Sequence, residues 1–525
     1  MAVTVTINGC TLDARPGMSL FDCAERLGVR VPTSCNKQGK CKECLVEIAQ
    51  GMECLTPPGE QERHLSAPFR LSCRALVVEG HGDLRCHTMR RGRMRIERQA
   101  VGLPAAHPSG GSRAGYGIAL DLGTTTVVLR LVNLATGEIV ADASFENPQR
   151  FGGSEVMARI QYDTGHPGKL LRRTLAGYLS HAIEEFPVDP ASIREMVVVG
   201  NSTMRDLFFR QSVYSIGQSP YRSITEIEMA EGKRSTTSLL ETGRRCLLPI
   251  HPQAMVYGAP IVSGHVGADA AACMLAVDLA REERLVAIMD IGTNTELVVG
   301  NRHRILAASC PAGPAFEGGA IACGMPALDG AIERVRIDDE GKFELDVIGG
   351  GAAAGICGSG LVSLMSELVR TGRMNERGRF EDGVERIDLD PANGVYFLES
   401  DVNELAQAKG ANVAGLETVF ANYGIGFGDI DVFYLAGGFG RHLDVDAAMR
   451  IGLIPAISPA RIVQVGNAAI EGATIALVSE AKRQELEALV RRVEHCRLET
   501  HPRFFDFFVD GCQFQSVPSM RQATV

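Results

Sequence analysis

Apolar and polar residues alternate along Val3 to Ile7 and along Cys10 to Ala14, on either side of Asn8-Gly9, and the pattern predicts two strands joined by a tight hairpin. Leu20 to Leu27 then keeps helical spacing and ends at Gly28, and Leu45 to Ile48 returns to a strand. Farther on, an apolar run reaches Asp121, turns through Gly123 among the hydroxyls of Thr124, Thr125 and Thr126, and leaves through Val127-Val128. The pattern recurs at Ile288 to Leu297, where Asp290 is followed by Gly292, Thr293, Asn294 and Thr295. Each copy reads as strand, turn, strand, and two copies imply two half-domains. Around them the spacing predicts a strand at Val140 to Phe145, a helix from Leu171 to Phe186 stopped by Pro187, and a strand at Met196 to Val199. An apolar helix should follow Gly264 to Asp269. In the last third we expect a helix from Leu361 to Arg370, opened by Gly355 to Gly360 with no clear strand before it. A strand from Ile430 to Tyr434 and a last long helix starting within Val465 to Ala473 complete the pattern.

At 525 residues the chain can hold three domains or more. Its 45% hydrophobic and 22% charged content is that of a soluble globular protein, a net charge of −10 argues against a general nucleic-acid or anionic-membrane binder, and a soluble enzyme is the expectation. No basic-then-apolar leader opens the sequence, and no run approaches the roughly 18 apolar residues of a membrane span. Cytoplasmic residence is the expectation. The chain carries fifteen cysteines, which in a small secreted protein would suggest a disulfide framework. Here they crowd towards the N-terminus, and the question becomes what they hold.

Cys35, Cys41 and Cys44 lie in one loop at C-x5-C-x2-C spacing, and Cys73 follows after a gap. Four thiolates can hold a [2Fe–2S] cluster, with Gly39 suiting a loop that passes close to it. The spacing is one residue from the plant-type pattern and resembles the adrenodoxin-like ferredoxins. Structural zinc is the alternative, but zinc sites more often use two paired clusters. Cys10, Cys23, Cys54 and Cys86 read as buried hydrophobes or incidental thiols. Lys37, Lys40 and Lys42 surround the loop; a solvated surface is the simpler reading and a docking rim for an acidic redox partner the sharper one.

At the two Asp-x-Gly-Thr turns, backbone N–H groups and hydroxyls can hold phosphate oxygens, and an Asp at a strand end can hold hydrated Mg2+. No G-x-x-x-x-G-K-[ST] occurs, so a P-loop is unsupported, and Gly355 to Gly360 lacks dinucleotide-fingerprint spacing. The pair of turns, with Leu435-Ala436-Gly437-Gly438-Phe439-Gly440 after the later strand, resembles the phosphate and adenosine motifs of the acetate and sugar kinase, heat-shock protein 70 and actin superfamily. Between the two regions, Met89 to Ala114 shows no apolar periodicity and carries Arg90, Arg91, Arg93, Arg95 and Arg98 before a Pro- and Gly-containing stretch. It reads as a tether that lets a cluster swing between donor and acceptor, with a nucleic-acid arm as the minor reading.

The whole chain resembles the reductive activators of corrinoid proteins, through the four cysteines, Asn147-Pro148-Gln149, Gly200-Asn201, Ala312 to Gly318, Gly355 to Gly360 and Leu435 to Gly440. The group serving methylamine methyltransferases carries C-terminal multi-cysteine motifs; only Cys496 and Cys512 lie in this tail, which excludes that variant. The resemblance implies an α+β β-grasp [2Fe–2S] ferredoxin domain (1–88), a basic linker (89–114) and a duplicated α/β ribonuclease-H-like, actin-type ATPase in halves 115–285 and 286–525. It implies ATP-dependent passage of an electron from the cluster to Co(II) of a corrinoid protein, regenerating Co(I), with a low-potential donor upstream and the oligomeric state, a homodimer included, left open. Asp121 and Asp290 would position Mg2+ and water. Gly123 to Thr126 and Gly292 to Thr295 would surround the phosphates, Gly437 and Gly438 the nucleoside, and Glu317 would orient the hydrolytic water. Two other readings remain: a small-molecule kinase with a regulatory cluster, and a redox sensor that uses ATP as a conformational ligand.

Overall fold

The computed structural model describes residues 3–90, 103, 107, 113–438 and 442–518. Arg91, Arg93, Arg95 and Arg98 of the expected tether, and Phe439 and Gly440 of the adenosine motif, lie outside them.

The N-terminal unit is a five-stranded mixed sheet with spatial order β2-β1-β5-β3-β4. Its strands are β1 (Val3–Ile7), β2 (Cys10–Ala14), β3 (Leu45–Gln50), β4 (Phe69–Leu71) and β5 (Gly82–Thr88). The expected hairpin forms at Asn8-Gly9, both left-handed. Helix α1 (Leu20–Arg26) begins where Ser19 and Asp22 make a capping box and packs Leu20, Phe21, Cys23 and Ala24 on the sheet.

The next unit has sheet order β10-β11-β9-β6-β7-β8. Its strands are β6 (Tyr116–Leu122), β7 (Thr126–Asn133), β8 (Ile139–Glu146), β9 (Ile193–Gly200), β10 (Leu239–Thr242) and β11 (Met255–Gly258). Helices α2 (Val156–Gly165), α3 (Leu170–Glu184) and α4 (Ala268–Ala276) accompany it. In the last unit, β12 (Val286–Asp290), β13 (Asn294–Gly300) and β14 (Ile305–Pro311) form an antiparallel meander. Strands β15 (Val432–Ala436) and β16 (Ile462–Gly466) join it in parallel beside β12, and β17 (Val493–His495) closes the far edge. The meander plus parallel strands of β8-β7-β6-β9-β11 is thus repeated as β14-β13-β12-β15-β16, so the duplicated turn belongs to a duplicated sheet. Strand and helix layers of this kind bury both sheet faces.

Helices α5 (Gly358–Arg370), α6 (Glu399–Tyr423), α7 (Ala468–Val478), α8 (Glu480–Val490) and α9 (Phe504–Gly511) complete the chain. Two expectations change here. A two-residue strand, Gly355–Ile356, does precede α5, paired with Ala331 and Ile332. The helix beginning near Val465 is not the last long one, since α8 has the same length, and the 25-residue α6 precedes both. Helix α7 crosses to the preceding unit and packs on α4, where a Cβ at Gly472 would collide with the Ala272 carbonyl.

The ferredoxin-like unit is docked rather than held away. Leu45 and Met89 are fully buried in the core built by β6 to β9 and α3. Tyr178 on α3 donates to the Leu45 carbonyl at 3.2 Å and Thr174 to the Lys42 carbonyl at 3.2 Å. Glu185 accepts from both Arg30 and Arg90. Among the described residues no helix is long and apolar enough to cross a membrane.

Candidate functional site

Two sites emerge. At the first, the loop between α1 and β3 coils through left-handed residues Asn36, Lys37, Gly39 and Lys42, with Gly39 pressed against the Arg74 side chain. This brings Cys35, Cys41, Cys44 and Cys73 together as two pairs. Cys44 and Cys73 have sulfurs 3.3 Å apart, and the Cys41 thiol bonds Cys35. Among the described residues no three ligand groups converge on one point as a single ion would require. Two thiol pairs are instead the donor set that two bridged irons take, and the residues fit a [2Fe–2S] cluster better than lone zinc.

Burial raises the Cys35 thiol, but the N–H groups of Cys41, Lys40 and Gln38 outweigh it and hold it down to about 7. The Cys44 thiol, against burial, brings Cys73 to about 7. Cys41 is raised by burial, and Cys44 by its bond to Cys73 and by burial. One sulfur of each pair is therefore thiolate-prone before any metal arrives. A groove of about 520 Å3 runs beside Cys35 and Cys41 against α3, lined also by Lys40, Arg173 and His181. The three lysines differ: Lys37 is bound to Asp22 at 2.8 Å and Glu25 at 2.6 Å, Lys42 donates to the Gln61 carbonyl, and Lys40 is exposed.

The second site is a cleft of about 260 Å3 between the two duplicated sheets. Asp121, Gly123, Thr124, Thr125, Thr126, Asp290, Gly292, Thr293, Asn294, Glu317, Gly437 and Gly438 all line it. Thr295 is the exception. Side chains alternate along β13, so Asn294 and Glu296 face the cleft while Thr295 is buried on the other side. The two turns meet directly: the Thr125 and Thr293 hydroxyls are 2.7 Å apart and both donate to Glu317, Thr125 at 2.8 Å. Gly437, at φ +107°, permits close passage, since a Cβ there would strike the Ile291 carbonyl.

Sequence reading missed further contributors. Asp269 at the start of α4 and Glu296 on β13 line the cleft, and Asn467, the α7 cap, donates to Asp121 at 2.7 Å. Glu296 stands two residues after Asn294, so strand period alone pointed to it. Six carboxyl groups, those of Asp121, Asp269, Asp290, Glu296, Glu317 and Glu471, thus share one cleft, Glu471 bound to Arg130 at 2.7 Å. Burial raises Asp121 to about 7 against the Asn467 bond, with Asp290 adding to the rise. It raises Asp269 to about 7 and Asp290 to about 6, the latter against a 3.3 Å contact from the Cys273 thiol. Glu296 and Glu317 are raised by the same cause. Carboxylates so placed favour a divalent cation, and Mg2+ takes one or two of them together with waters and phosphate oxygens.

Three family profiles match the chain: 2Fe-2S iron-sulfur cluster binding domain over 3–78, RACo middle region over 116–282, and C-terminal domain of RACo, the ASKHA domain, over 284–523. The chain is 32% identical to the corrinoid activation enzyme RamQ of Eubacterium limosum, covering 76% of this chain and 70% of that one. It is 25% identical to the [Co(II) methylated amine-specific corrinoid protein] reductase of Methanosarcina barkeri, over 75% and 76% of the two chains. A solved reductive activator for corrinoid, iron-sulfur protein superposes with a TM-score of 0.71 over 98% of both chains at 24% identity, and shares the fold.

Proposed function

The chain belongs to the family of corrinoid activation enzymes, its relative at 32% identity matching most of both lengths, and from that premise we propose that it is an ATP-dependent reductive activator. It acts on a corrinoid protein, taking an inactive Co(II) cofactor to Co(I), and is itself recharged by a low-potential donor. We place it in the cytoplasm, and divide it into residues 1–88, a linker 89–114, and halves 115–285 and 286–525. The observation that carries the reading is the presence in one chain of two thiol pairs and a carboxylate-lined cleft between duplicated turns.

When bound, the cluster supplies the single electron that the cobalt substrate gains. Cys35 and Cys41 would hold one iron and Cys44 and Cys73 the other, with the loop N–H groups facing the Cys35 sulfur and favouring its anionic form. In the cleft, Asp121 and Asp290 would orient Mg2+ and its waters. Gly123 to Thr126 and Gly292 to Asn294 would receive the phosphates, and Gly437 with Gly438 the nucleoside. Glu317, bridging Thr125 and Thr293, would orient the attacking water once the nucleotide parts those hydroxyls. A nucleotide that binds one closure state of the two halves more tightly shifts the chain towards it, and that differential affinity can be spent on an uphill electron step.

The test is the anaerobic visible spectrum of a Co(II) corrinoid protein mixed with the reduced chain, with and without Mg-ATP. Appearance of the Co(I) band only with Mg-ATP is expected. An unchanged spectrum across corrinoid proteins, with a reduced cluster and bound ATP, would refute the reading.

A further inference from the structure

Three successive carbonyls of the first phosphate loop are taken by donors outside the cleft. Asn147 Nδ2 donates to the Gly123 carbonyl at 2.9 Å, the Arg159 guanidinium to that of Thr124 at 2.6 Å, and the Asn147 N–H to that of Thr125 at 2.7 Å. Asn147 and Arg159 are both fully buried and neither lines the cleft. Each is fixed from its own far side. Asn147 Oδ1 accepts from the Gln149 N–H at 2.9 Å, while Arg159 donates to the Gly153 carbonyl at 3.0 Å and to Met204 Sδ at 3.1 Å.

In a planar trans peptide the C=O and the following N–H point in opposite directions. Drawing the Gly123 and Thr124 carbonyls back therefore turns the N–H groups of Thr124 and Thr125 forward. Adjacent forward N–H groups make an anion-holding concavity. Arg159 adds a charge directly behind it. Burial lowers this guanidinium to about 9, which leaves it cationic at neutral pH. Among the described residues no carboxylate accepts from it. The carboxylate that feels its charge, Glu317, is bonded to Thr125 and Thr293 instead, so Arg159 is held by neutral acceptors and still favours an anion arriving at the loop.

We infer that Asn147 and Arg159 are positioning residues of the nucleotide site, which hold the first loop in the arrangement that receives an anionic phosphate chain; this rests on reading the cleft as an ATP site. They do not touch the nucleotide. Removing either lets the loop carbonyls turn towards the phosphates, so the loss falls on the polyphosphate and spares the adenosine end.

Calorimetric titration of Mg-ATP and of AMP into the full chain tests this, for wild type, Asn147→Ala, Arg159→Lys and Arg159→Met. Asn147→Ala and Arg159→Met should weaken ATP at least tenfold while AMP stays within twofold, and Arg159→Lys, which keeps the charge, should recover part of the loss. Unchanged ATP affinity in Asn147→Ala and Arg159→Lys would overturn the inference, as would equal weakening of both nucleotides, which marks a merely structural role. If Arg159→Met fails to fold, the other two variants carry the test. A wild-type chain that binds neither nucleotide would overturn the ATP-site reading itself, before any variant is compared.

Discussion

Lys409 shows how far burial can set the behaviour of a single residue. It sits on α6 with no exposed surface, donates to the Gly511 carbonyl and, at 2.7 Å, to that of Gln513, and lies 5.5 Å from the centre of the Phe514 ring. Burial lowers its ammonium to about 7, opposed by the Cys512 thiol. An unfolded lysine titrates near 10.4, so between about pH 7 and pH 10 the unfolded chain binds more protons here. Stability from this residue must then rise with pH across that window, by up to about 1.4 kcal/mol per pH unit, and fall as pH drops through 7. Melting curves of wild type and Lys409→Met from pH 7 to 9.5 check it. The wild-type melting temperature should climb relative to the variant, and parallel curves would show that the lysine stays charged when folded. No sequence rule finds such a residue, because a lysine inside a helix normally reads as its wet face.

At the scale of elements, α3 is the surface on which the ferredoxin-like unit rests, and Gly177 is its contact point. A Cβ there would fall 2.5 Å from Glu43 Cγ. An interior helical Gly→Ala change ordinarily stabilises by roughly 1 kcal/mol, whereas displacing the docked loop would re-expose Leu45, whose burial is worth about 1.5–3 kcal/mol. That cost holds the unit docked against a small misfit such as Ala. Gly177→Val sets a branched side chain against the Glu43 stem, a larger clash, and should release the unit, seen as a larger radius of gyration by small-angle scattering with the cluster's visible spectrum unchanged; an unchanged radius would mean the loop yields without undocking. The elements that carry local chemistry were legible in the sequence: the Asn8-Gly9 hairpin, the four-cysteine spacing and the two Asp-x-Gly-Thr turns each rest on neighbours in the chain. Helix α6 was not, because Lys409, Asn412, Glu417 and Thr418 are buried on it and no apolar stripe remains to be counted. The cleft was legible only in part, since Asp269 and Asn467 reach it from separate segments that the fold alone brings to Asp121.

For the whole molecule the issue is whether the two sites work apart or together. As separate chemistries they should be separable by mutation. Cys41→Ser should abolish electron uptake by the cluster and leave Mg-ATP affinity within a few-fold, and Asp290→Ala should weaken Mg-ATP while the cluster still takes up an electron from the donor; loss of both properties in either folded variant would contradict separate modules. Their coupling needs a physical connection, and residues 147–166 supply one. The segment holds the first phosphate loop through Asn147 and Arg159. It also holds the ferredoxin-like unit, through Arg150 on Glu47 at 3.3 Å, Phe151 edge-on to His64 at 6.1 Å, and the Tyr162 hydroxyl donating to the His64 carbonyl at 2.8 Å. Coupling between two binding equilibria is reciprocal. If ATP changes the hold on the ferredoxin-like unit, weakening that hold must change ATP affinity by the same factor. Tyr162→Phe removes one hydrogen bond of about 0.5–1.5 kcal/mol at a point remote from the cleft, which allows a shift of roughly two- to tenfold. Calorimetric ATP titration of this variant against wild type should show that shift, and the release of the unit by scattering should in turn depend on ATP. Identical affinities in a variant that has visibly undocked would mean that nucleotide and cluster communicate only through the corrinoid partner, not through this segment.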